Sequence, residues 1–119
     1  MAFLAKILGS LPIALASSFV SADEINFATI RDLLNRNDCF RCHFSGTTRI
    51  SERIPLNDRT LMIRLKIVVP NKSEESSLYL RVTAEDEQMR MPPPRSGIPA
   101  LSQDDRDVIR KWIDAGARE

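Results

Sequence analysis

The sequence is short of most of what would build a metal cage or a disulfide scaffold. Its 119 residues contain one histidine, two cysteines, one tryptophan and four glycines. Two cysteines cannot staple a disulfide-dense fold, and any histidine chemistry must run through a single side chain. Charge of one sign is also missing: 17 Lys+Arg stand against 16 Asp+Glu, a formal net charge of +1. A chain so balanced lacks the positive excess from which generic nucleic-acid affinity comes. There is no apolar run of the roughly 20 residues that a spanning helix needs. The uncharged stretch is Ile7 to Ala22, 16 residues interrupted by Pro12. Glycine and proline are too few for a fibrous or low-complexity chain, while 43% hydrophobic residues suit a folded domain.

What is present starts with a leader. Met1 to Lys6 carries one positive charge, Ile7 to Val20 is apolar or small, and Val20-Ser21-Ala22 is a small-x-small site before Asp23 and Glu24. Residues 1–22 read as a cleavable signal peptide, with an uncleaved membrane anchor as the rival. Residues 23–119 then form one domain. They lack Lys6 and carry 16 charges of each sign. The expected location is periplasmic, with no stable membrane insertion after cleavage. A domain this small gains from a metal, a cofactor or an oligomer to complete its core.

Cys39-Phe40-Arg41-Cys42-His43 uses both cysteines and the only histidine of the chain. C-x-x-C-H is the attachment spacing of c-type haem. Two thiols one helical turn apart can add to the two haem vinyl groups, and the next residue can carry its imidazole to the iron as an axial ligand. Three alternatives carry less weight. Zinc needs about four ligands, and no second Cys/His pair exists. A thioredoxin-like dithiol needs an α/β context, whereas the segment before Cys39 has a helical pattern. A Cys39–Cys42 disulfide would close too small a loop to stabilise much.

Around the motif, Phe27, Ile30, Leu33 and Leu34 form a helical stripe, predicting a helix from about Asn26 to Asn37 with Asp23 or Asn26 as cap. Residues 46–57 show no period and read as a loop. Arg49, Arg53 and Arg59 are candidates for haem propionates there, against the plainer reading of exposed arginines. Residues 59–69 allow a short helix ending in an extended run, or a small strand at 65–69. A helix is expected at 74–83, capped by Ser73 or started at Ser76 or Ser77. Residues 84–100 form a proline-rich loop. Ser102 caps a last helix with Asp104 and Asp105 in its first turn, Leu101 as staple, an apolar face of Val108, Ile109, Trp112 and Ile113, and Gly116 near its end.

With no second histidine, a sixth iron ligand from this chain must be a methionine. Met91 precedes Pro92-Pro93-Pro94, which holds it in a stiff non-helical loop. Met89 and Met62 are the other candidates, Met62 reading more naturally as core. An iron with no sixth protein ligand is the remaining possibility.

In this order the elements resemble a small monohaem class I c-type cytochrome, and more narrowly the planctomycete-type cytochrome c domain. The resemblance rests on Cys39-x-x-Cys42-His43, on the helix Ser76 to Val82, on Met91-Pro92-Pro93 and on Leu101 to Ala117. It covers about Ile25 to Ala117 and fits least well between Ser45 and Val69. It implies an all-α fold whose N- and C-terminal helices cross around one covalent haem c. Ile30 and Leu34 would meet Ile109, Trp112 and Ile113. The implied activity is electron transfer with His43 and Met91 as axial ligands, serving redox partner proteins that the sequence does not name, and not an enzyme's. Two alternatives follow from an open iron or a fixed partner: a peroxide- or gas-binding enzyme or sensor, and a haem subunit of one dedicated oxidoreductase.

Overall fold

A computed structural model describes Gly9 and residues 21–119. All but Gly9, Ser21 and Ala22 of the leader therefore lie outside the described residues. The described residues contain six α-helices and no strand. They are α1 (Phe27–Arg36), α2 (Phe40–His43), α3 (Arg49–Arg53), α4 (Arg59–Arg64), α5 (Ser77–Val82) and α6 (Gln103–Asp114). The all-α expectation holds.

The two longest helices, α1 and α6, are both amphipathic. In α1 the Asn26 side chain accepts the Thr29 amide at 3.0 Å, so Asn26 rather than Asp23 caps this helix. Ile30, Leu33 and Leu34 are fully buried. In α6 the Ser102 side chain accepts the Asp105 amide at 3.1 Å, and Ile109, Trp112 and Ile113 are fully buried. The start of α1 meets the end of α6, where the Phe27 and Trp112 rings lie 6.1 Å apart at 32°. The end of α1 meets the start of α6, where Arg36 and Asn37 both donate to the Asp105 carboxylate at 2.8 and 2.9 Å. Full burial of each large apolar side chain in this seam contributes about 1.5–3 kcal/mol. Trp112 is core, as expected, and its Nε1–H donates to the Arg118 carbonyl at 2.8 Å. Gly116 follows α6 at φ +105°, a backbone conformation costly for residues with a Cβ. There the chain folds back, so that the Ala117 amide reaches the Trp112 carbonyl at 2.8 Å.

One local expectation changes and two open ones are decided. Residues 46–57 are not wholly loop, because Thr48 and Ser51 form a reciprocal capping box that starts α3. Of the two readings of residues 59–69 the short helix holds, as α4, and 65–69 are not a strand. After α4, capped by Asp58, Lys66 turns left-handed at φ +59°, and the Ile67 and Val68 amides both close onto the Met62 carbonyl. Of the starts the sequence offers for the helix expected at 74–83, Ser77 is the one used, by α5, and a break separates it from a 3₁₀ turn at Ser73–Glu75. The break lies at Ser76, whose hydroxyl does not cap α5. It accepts the Val69 amide at 2.8 Å and donates to the Lys72 carbonyl at 2.8 Å. Ser73, buried, is tied to the Asp114 carboxylate through its amide and hydroxyl at 3.0 and 3.1 Å. These tertiary bonds outweigh the gain from one continuous helix.

Candidate haem site

The α1–α2 junction is a tight corner. Asp38 is left-handed at φ +63°, and the Cys39 amide donates to the Leu34 carbonyl at 3.0 Å. This corner aims α2, and with it Cys39, Cys42 and His43, into one cleft. Leu78, Arg81 and Val82 of α5 and Met91, Pro92 and Pro93 of the loop after it line the same cleft. Ile54, Leu56 and Ile67 complete an almost wholly apolar lining. The empty space amounts to about 990 Å³ when the open mouth is counted.

His43 is held for ligation. Its Nδ1 lies 3.0 Å from the Ile54 carbonyl oxygen. A carbonyl can only accept, so in the neutral imidazole the proton sits on Nδ1 and the free lone pair is on Nε2. Such a bond to the far nitrogen fixes the tautomer and ring orientation of a ligating histidine. The loop is drawn in by a second contact, from the Leu56 amide to the His43 carbonyl at 2.9 Å. The Thr48 hydroxyl donates to the Cys42 carbonyl at 2.6 Å, anchoring the end of α2. Cys39 and Cys42 are free thiols. Burial, helped by the neighbouring Asp38 charge, pushes the Cys39 thiol up to about 11, so it is neutral at ordinary pH.

Of Met62, Met89 and Met91, only Met91 lines the cleft. Met62 is fully buried in the core, and Met89 is 45% exposed. The Met91 amide donates to the Arg81 carbonyl at 2.9 Å, which ties the proline loop to the end of α5. The peptide from Met91 to Pro92 is cis.

For Arg49 and Arg53, both exposed, the plainer of the two readings holds. Arg49 and Arg53 do not line the cleft, and the Arg59 Nε–H donates to the Ala117 carbonyl at 2.6 Å. The arginine of the cleft is Arg81, which belongs to the Ser76 to Val82 helix on which the resemblance rests but was not among the propionate candidates. Its place in the cleft depends on where α5 packs, which the helix motif alone does not show.

The donor set fits a haem c. Two thiols, an imidazole nitrogen and a thioether share one apolar cleft, and the imidazole is already in the ligating tautomer. A site of Cys/His type for zinc is not assembled. Among the described residues no group of three or more His, Cys, Asp or Glu side chains is arranged to hold a metal ion.

Residues 39–95 match the family model described as planctomycete cytochrome C. The chain contains a cytochrome c-like domain. The match supports a haem-binding, electron-transfer role. It runs from Cys39 to Arg95 and so takes in α2 to α5 and the Met91 loop, while α1 and α6 lie outside it. No curated protein and no solved structure matches the chain. The cytochrome c-like domain thus owes its cleft to the matched segment and much of its core to the α1–α6 seam. No helix among its described residues is long and apolar enough to cross a membrane.

Proposed function

We propose that the chain is an exported one-electron carrier with a single haem c, held through Cys39 and Cys42 and ligated by His43 and Met91. The observation that carries this reading is the convergence of all four side chains on one apolar cleft. The haem, when bound, supplies a reversible one-electron iron couple. Cys39 and Cys42 would hold it through thioethers, and His43 would offer Nε2 while Nδ1 stays bonded to the Ile54 carbonyl. Met91 would offer its thioether as the second protein ligand, leaving no iron coordination site for a substrate. His/Met ligation favours a comparatively high reduction potential. The apolar walls keep water from the centre, and the open side of the cleft lets an electron partner approach without the fold opening.

Export is proposed from the leader pattern of residues 1–22, and periplasmic location follows from it. The partners are redox proteins that dock transiently. Balanced charge on residues 23–119 gives them little long-range steering.

Ligand binding tests the carrier role against an open-iron enzyme or sensor. Reduced protein exposed to carbon monoxide, and oxidised protein exposed to azide, should show no spectral change. The Met91→Ala variant should bind both. Tight binding of either by the unaltered protein would contradict a closed, electron-carrying iron.

A further inference from the structure

Two methionines sit two residues apart on the loop that faces the haem cleft, and either carries a thioether able to ligate iron. Arg81 contacts both, in different ways. Its main-chain carbonyl accepts the Met91 amide at 2.9 Å. Its guanidinium Nη1 donates to the Met89 carbonyl at 3.3 Å and lies 3.4 Å from the Met89 sulfur. Met89 is also fixed by its amide, which donates to the Asp86 carbonyl at 2.9 Å in the turn before it. The result is asymmetric. Met91 lines the cleft, while Met89 is 45% exposed and does not line it.

We propose that Arg81 is the positioning residue that selects Met91 over Met89 as the axial methionine, by clamping the Met89 thioether and carbonyl outside the cleft. This rests on ligation by His43 and Met91 as set out above. The thioether is a weak acceptor, and a charged donor makes a stronger hydrogen bond than a neutral one. The clamp acts through the side chain alone. Replacing the guanidinium therefore frees Met89 and leaves the main-chain tie between Arg81 and Met91 in place.

The test uses the haem-loaded full chain and the methionine-to-iron charge-transfer band of the oxidised protein. Met91→Ala should lose the band, because Arg81 still holds Met89 away. Met91→Ala with Arg81→Leu should regain it, and adding Met89→Leu should abolish it again. A Met91→Ala protein that keeps a Met89-dependent band would overturn the clamp. So would a double variant of unchanged helix content with no band. An unaltered protein without the band would instead overturn the ligation reading, and the selection with it.

Arg81→Gln serves as the second release variant should Arg81→Leu fold poorly. A further readout needs no loss of Met91. With methionine methyls isotope-labelled, the reduced protein should show one methyl strongly shifted upfield by the haem ring, assigned to Met91. Arg81→Leu should show a second, assigned to Met89, and its absence would count against the clamp.

Discussion

The Nδ1 atom of His43 lies 3.0 Å from the carbonyl oxygen of Ile54, eleven residues further along the chain. With the bond from the Leu56 amide to the His43 carbonyl, this bond links the attachment motif to the segment after α3, and it sets which imidazole nitrogen is free. A proton held there between ring and carbonyl exchanges slowly with water. In the haem-loaded protein the Nδ1–H signal should appear in proton NMR well outside the amide range and persist as pH is raised to 9. Its rapid loss by exchange at neutral pH would mean that the bond is not kept.

The Trp112 side chain is fully buried, packs against Phe27 and donates to the Arg118 carbonyl. Trp112→Ala should cost about 3–5 kcal/mol in denaturant unfolding of the haem-loaded protein. Trp112→Phe should cost less, keeping most of the packing and losing a hydrogen bond worth about 1 kcal/mol. Equal losses would show that the indole N–H, not the ring, carries the contribution.

Asp105 joins α6 to the end of α1 by accepting from Arg36 and Asn37. Arg36 is more than half exposed, so that ion pair contributes about 0.2–1 kcal/mol. The part-buried bond from Asn37 contributes about as much again. Asp105→Ala should lower unfolding stability by about 1–2 kcal/mol, with only a small dependence on salt. A loss abolished entirely by high salt would assign the whole effect to the exposed pair.

Leu56, Ile67, Leu78 and Val82 are buried residues of the core that also wall the cleft. Without a haem these walls have no filling, and a domain of this size has little other apolar area to spare. A chain with both Cys39→Ala and Cys42→Ala, purified free of haem, should lose helical circular dichroism and melt without a cooperative transition. Native-like helix content and a sharp melt would show that the α1–α6 seam suffices alone.

The legible parts of the molecule were those whose signals are local. Asn26 and Ser102 cap helices that also show a clear apolar face, so α1 and α6 could be read within a residue or two. The haem motif is contiguous, and the prolines after Met91 mark its loop, so the candidate ligands could be named before any geometry. The rest depended on hydrogen bonds and packing that leave no periodic signal. Ser76 breaks its helix because Val69 and Lys72 recruit its hydroxyl. The helix at Arg49–Arg53 is too short to show a period and starts from a Thr48–Ser51 box of unremarkable residues. Arg81 and the Ile54 carbonyl enter the site only once α5 and the 54–56 segment pack around the cleft.

The oxidised visible spectrum of the haem-loaded chain, with and without Met91→Ala, bears most directly on the assignment of His43 and Met91 as the two axial ligands. A low-spin spectrum with a methionine-to-iron charge-transfer band that the substitution removes is the expected result. A high-spin spectrum that Met91→Ala leaves unchanged would contradict it.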